Sequence, residues 1–222
     1  MLAVACRRHK PDVKPVVPDG AVDLGLVLTR VDGTTYNLYW AESNLSENGL
    51  CPHPEDFGDY YAWASYPWSV DGPVHNLLTK YCPSERTDFW GGKGAPDNKL
   101  EFKDYDYADD AARAVLKGKW RLPTRAEWTA LREQCTWTPT RLGDAVGFMV
   151  TGPSGNCIFL PETGFRVDAT IEEIGRSGNY WSATVDSEYA TYGWYLFLKE
   201  EVYYGEYRSS RFYGYPIRPV SE

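Results

Sequence analysis

Two short stretches of this chain carry helical spacing, and Gly and Pro cut much of the remainder into shorter pieces. The first stretch, residues 107–117, contains DDAARAVLK. Asp109 and Asp110 fall in its first turn, where carboxylates suit the helix dipole. Ala111 shares a face with Val115, and Ala112 with Leu116, while Gly118 supplies the stop. The second, residues 125–134, opens on Thr124 and Glu127, the spacing of a capping box. Trp128, Leu131 and Cys135 then recur at helical intervals and are expected to face a core.

The other apolar runs read as strands. VDLGLVLTR and TTYNLYW flank Asp32-Gly33, which predicts a β-hairpin. GFMV and CIFLP flank the turn residues Gly152 to Gly155, and NYWSATV, GWYLFLKEEVYY and YPIRPV follow. Two short helices against small antiparallel sheets, joined by long loops, make an α+β fold. A length of 222 residues, 43% hydrophobic, supports one large domain, placed at residues 21–222.

The first twenty residues read differently. MLAVAC places small apolar residues before Cys6, as at the end of a lipoprotein signal segment whose cysteine takes the lipid. RRHKPDVKPVVPDG then reads as an extended tether. The expected location is the cell surface, as an outer-membrane lipoprotein that meets the membrane through its lipid anchor alone. No later run is long and apolar enough to be a spanning helix.

A net charge of -8 argues against nucleic-acid binding, which calls for a basic face. Beyond Cys6, the cysteines Cys51, Cys82, Cys135 and Cys157 allow three disulfide pairings or four unbridged thiols. No CxxC spacing occurs, and His9, His53 and His75 stand apart, so no metal is expected. Asp104, Asp106, Asp109 and Asp110 form the densest acidic run, a cluster of oxygen ligands for Ca²⁺ or simply a helix start. Glu55, Asp56 and Asp59 look like turn and cap residues beside Gly58. No GxSxG or phosphate-binding loop is present, and no cofactor or catalytic residue is assigned.

KWRLPTRAEW, preceded by DDAA, resembles the hallmark of the formylglycine-generating-enzyme-like branch of the C-type lectin fold. A closer resemblance is to the Fibrobacter succinogenes major paralogous domain, a surface family of Bacteroidetes and Fibrobacter. Its features run in order through VDLGL, YWAESN, EDFGDYYAW, DDAA, WRLPTRAEW, CTWT, VTGPSGNCIFLPETGFR, GNYWSAT and IRPV. The resemblance covers nearly everything after residue 20 and implies a C-type-lectin-like fold, while saying little of function. Most of these residues read as structural, with Trp120 and Trp128 in the core and Arg218 tying the last strand to a carboxylate. The enzymes of that branch need a C-terminal cysteine pair, and no cysteine follows Cys157, so no enzyme is expected.

The region 180–215 holds nine of the 17 tyrosines, interleaved with Ser187, Ser209, Ser210, Arg208 and Arg211, a composition suited to recognition. Trp194, Leu196 and Leu198 alternate with Tyr195, Phe197 and Lys199, so one side faces the core and the other solvent. In relatives diversified by retroelements this segment is the variable region. By that resemblance the ligand-binding positions are Tyr189, Tyr192, Phe197, Tyr203, Tyr204, Tyr207, Ser209 and Tyr213. Lys199, Glu201 and Glu206 suit adenine mutagenesis less well. The expected role is recognition or adhesion toward a protein or glycan on another cell, phage or host surface. A structural or tip subunit of a fimbria-like assembly is the alternative, and a formylglycine-generating-like enzyme comes last.

Overall fold

The computed structural model describes residues 16–63, 110–167, 169–186, 192–199, 202–211 and 213–222. The expected hairpin forms from β1 (Ala21–Thr29) and β2 (Thr35–Ala41). At its turn the Asp32 carboxylate accepts from the Thr34 amide at 2.9 Å and hydroxyl at 2.7 Å, and Gly33 takes a φ of 82°. A bulge between Asp23 and Leu26 holds Gly25 at positive φ. A small hairpin follows, β3 (Leu45–Ser46) and β4 (Gly49–Leu50).

Among the described residues the helices are α1 (Ala111–Leu116) and α2 (Arg125–Gln134). Asp110 is the cap of α1 rather than a first-turn residue: its carboxylate accepts from the Arg113 amide at 3.0 Å. Asp109 and residues 107–108 lie outside the described residues. Lys117 and Gly118 both take positive φ and end the helix. The α2 capping box forms as expected, Thr124 Oγ1 accepting from Glu127 N and Glu127 Oε2 from Thr124 N. Arg121 grips Glu127 at 2.8 and 2.6 Å. Burial opposes charge on Glu127, but Arg121 outweighs it and holds this carboxyl below its usual range.

Then come β5 (Thr136–Leu142), β6 (Ala145–Thr151) and β7 (Cys157–Pro161), an antiparallel sheet in that order. The turn before β7 lies across β1. A Cβ on Gly152 would stand 2.2 Å from the Leu24 carbonyl, so the close approach requires glycine. A ribbon of β8 (Phe165–Val167) and β9 (Thr170–Glu172) leads to the sheet β10 (Ser177–Val185), β11 (Tyr192–Lys199) and β12 (Val202–Ser210). Finally β13 (Val220–Ser221) pairs with β2. Among the described residues the architecture is α+β, two short helices among small antiparallel sheets.

Two buried clusters organise these elements. The first joins Trp40, Trp128, Phe148, Leu160, Tyr180 and Leu196, with Trp40 and Trp128 rings 4.5 Å apart. Cys135 packs at its margin. The second joins Tyr61, Trp63, Ala112, Leu122, Trp181 and Tyr215. Trp120 and Trp128 are both buried, as expected.

Arg218 corrects an expectation. It is fully buried and, among the described residues, binds no carboxylate. Nε donates to Asn44 Oδ1 at 2.8 Å, and the two terminal nitrogens donate to the carbonyls of Ala41 at 3.1 Å and Phe159 at 2.8 Å. Burial pushes its guanidinium down to about 10, which leaves it charged at neutral pH. A fork of donors satisfied by neutral acceptors pins three distant segments together. Cys51, Cys135 and Cys157 carry free thiols, while Cys6 and Cys82 lie outside the described residues.

Candidate recognition face

Strand β11 is the middle of its sheet, and its two faces differ in chemistry. Leu196 and Leu198 are buried in the first cluster beneath α2, with Tyr180 from β10 opposite Leu196. Trp194 lies on the same side, its ring 3.4 Å from the guanidinium of Arg125 at the start of α2. The intervening residues Gly193, Tyr195 and Phe197 belong to the other face.

Register builds that second face. Tyr195 lies opposite Trp181 on β10 and Tyr207 on β12, and directly opposed residues share a side. Phe197 meets Tyr195 and Tyr207 edge-on at 6.2 and 5.9 Å. Tyr215 reaches in from the segment before β13, 4.8 Å from Tyr195 and 4.3 Å from Trp181 between ring centroids. Tyr213 stacks on Tyr215 at 6.0 Å, and Phe165 stands perpendicular to Tyr213 at 5.7 Å. The result is a continuous aromatic floor whose inner members are buried and whose outer member, Tyr207, is 46% exposed.

The polar ends are partly committed. Tyr215 OH donates to Ser209 Oγ at 3.0 Å. Burial, aided by the nearby Tyr207, raises the Tyr195 phenol to about 12, and burial raises Tyr215 well above the usual value. At neutral pH the face presents neutral rings and hydroxyl donors. Arg208 bonds Asp186 at 3.2 Å, and Glu206 faces Arg132 at 3.3 Å. Arg211 is buried, with its guanidinium 4.0 Å over the Trp63 ring, and so is not an exposed recognition residue.

Of the expected ligand positions, Phe197, Tyr207, Ser209 and Tyr213 come together on this face. Tyr192 takes the side of Trp194, away from Tyr195 and Phe197, because it is an even number of residues from Trp194. Tyr203 and Tyr204 belong to β12. Tyr189 and Cys6 lie outside the described residues. Tyr195, Tyr215, Trp181 and Phe165 join the face without having been singled out. The alternation in GWYLFLK carried the signal for Tyr195 alone.

Other candidate groups resolve into structural roles. Both Asp110 oxygens accept from the Leu122 amide, at 3.3 and 3.0 Å, besides capping α1, so this carboxylate serves backbone. Burial raises its pKa. Asp104, Asp106 and Asp109 lie outside the described residues. Asp56 accepts from the His53 amide three residues back, as a turn residue does, whereas Asp59 accepts from the Glu47 amide at the β3–β4 turn, twelve residues away. Among the described residues no group of His, Cys, Asp and Glu has the arrangement of a metal site. A concavity of about 250 Å³ between Arg30, Arg113, Arg121, Glu127 and Glu222 is crossed by ion pairs, Arg121 bonding Glu127 and Glu222, and Arg30 also bonding Glu222. No helix among the described residues is long and apolar enough to cross a membrane. Comparison with known protein families, characterised proteins and solved structures gave no match.

Proposed function

We propose that this chain is a surface-displayed recognition domain of C-type-lectin-like fold, binding a protein or glycan through the aromatic face of β10–β12. The observation that carries the reading is the graded floor running from buried Trp181 and Tyr215 through half-buried Tyr195 and Phe197 to exposed Tyr207. Rigid strands fix these rings before a ligand arrives, so little side-chain entropy is lost on contact. Ring faces suit stacking on sugar or apolar side chains, and hydroxyls add directional bonds. In this reading Cys6 bears the lipid anchor, the chain is an outer-membrane lipoprotein, and the family resembled is the Fibrobacter succinogenes major paralogous domain. The domain acts as a non-enzymatic binder, and its outer positions are those a diversifying retroelement would alter.

The test has two steps. The chain is screened against whole cells, phage and a glycan array, and neighbouring surface proteins are sought by pull-down. Then Tyr207 and Tyr213 are replaced together with Ala. Loss of binding with an unchanged near-UV circular dichroism spectrum supports the reading. Loss of the folded spectrum makes the stretch core and removes the proposal.

A further inference from the structure

The ribbon of β8 and β9 has two outer sides, and they differ. The β8 side is closed: the Arg166 amide donates to the Gly214 carbonyl and the Gly214 amide to the Arg166 carbonyl, both at 2.8 Å. Arg166 lies opposite Ile171. With its backbone groups turned to Gly214, it leaves Ile171 in a non-hydrogen-bonded pair, so the Ile171 N–H and C=O point outward from β9. Phe165 with Glu172, and Val167 with Thr170, are the pairs that hold the ribbon together.

The β9 side is exposed. Every residue from 169 to 174 is exposed, with Ile171 at 44% and Ile174 at 51%. Among the described residues no backbone group outside the ribbon bonds to Ile171. The strand contains neither of the residues that commonly blunt an edge, proline and lysine. Its charges are also unspent. Among the described residues the side chains of Glu172 and Glu173 make no ion pair or hydrogen bond, and the exposed Arg176 nearby pairs with neither.

We infer that this edge takes an extended segment of a partner protein, in which lysine or arginine alternates with apolar residues, as an antiparallel third strand of the ribbon. One partner residue exchanges both backbone bonds with Ile171, and its two neighbours lie opposite Thr170 and Glu172. Directly opposed residues share a side. An apolar partner residue opposite Ile171 covers it, and a cation opposite Glu172 meets an unpaired carboxylate. A second copy of this chain is a poor occupant, since it brings the same two carboxylates and a net charge of -8. The inference uses β9 alone and does not rest on the recognition reading of β10–β12.

The experiment is fluorescence anisotropy of a short labelled peptide alternating Lys and Val, titrated with the full chain. Saturable binding is expected, and a peptide alternating Glu and Val should not bind. Glu172→Lys should weaken the Lys–Val peptide about tenfold. Ile171→Pro removes the outward donor and none of the ribbon's own bonds, and should weaken it about tenfold or more. Both variants are checked for a native near-UV spectrum. Should either fail to fold, hydrogen exchange of the parent decides, because the Ile171 amide should slow when the peptide binds. No binding by the parent overturns the inference, as does equal binding by the folded variants, which is general attraction to an acidic protein. An Ile171 amide unaffected by bound peptide also overturns it. Self-association of the parent that Ile171→Pro abolishes would overturn it by making a second copy the occupant. Replacing Tyr207 and Tyr213 with Ala should leave peptide binding unchanged, which separates this edge from the aromatic face.

Discussion

The two faces of the β10–β12 sheet are closed by different means. Beneath α2 the seal is complete, with Leu196 and Leu198 at zero exposure and packed in one cluster with Trp128 and Tyr180. On the opposite face aromatic rings grade outward from buried Trp181 to exposed Tyr207. The first face resists change because its close-packed side chains leave no room for rearrangement. The second is open at its rim, where Tyr207 is 46% exposed. A domain built this way can alter its outer aromatics while the same strand, one residue along, holds the fold.

The largest effect should separate neighbours on β11. Leu196→Ala removes a fully buried side chain and should cost about 2–5 kcal/mol. Phe197→Ala, half-buried on the other face, should cost about 1–2 kcal/mol. Urea melts of both variants check this, and equal losses would erase the distinction between the faces.

Alkali gives an intermediate test. Tyr195 is raised to about 12, and Tyr180 and Tyr215 also lie above the ordinary tyrosine value of 10. The unfolded chain therefore releases these protons first. Native stability is full below pH 10 and falls as pH rises above it, by about 1.4 kcal/mol per shifted unit per group. Arg218, lowered to about 10, acts in the opposite sense and offsets part of the loss. Tyrosinate absorbance followed beside denaturant melts reads both. If Tyr195→Phe left the alkaline loss unchanged, the aromatic face would be open rather than packed.

The smallest stability effect belongs to Tyr207→Ala, expected within about 0.5 kcal/mol of the parent because nearly half of the residue is exposed. A loss above about 2 kcal/mol would move Tyr207 from rim to core.

Local chemistry was legible in the sequence where it acts over a few residues. Asp32-Gly33 fixes a hairpin turn, Thr124 and Glu127 cap a helix, and the alternation of β11 separates two faces. What the sequence hid was long-range. Nothing near Arg218 reveals that its donors end on Asn44, Ala41 and Phe159, so a carboxylate was the natural expectation. Tyr192 falls on the parity opposite to Tyr195 and Phe197, which aromatic content alone does not reveal, since aromatics occupy both parities at that end of β11. Tyr215 was missed because its place depends on a segment that crosses to the sheet from outside it.

The Arg218 clamp has a consequence for biosynthesis. It spans 174 residues to Asn44, and β13 completes the sheet begun by β1 and β2. A ribosome or export channel delivers the amino-terminal hairpin first and its third strand last. Throughout that interval β2 has an unfilled side, and the acceptors on Ala41, Asn44 and Phe159 wait for their donor. Non-local closure of this kind is slow. The native state is therefore gained in one late step, when the segment carrying Arg218 and β13 emerges, rather than progressively along the chain.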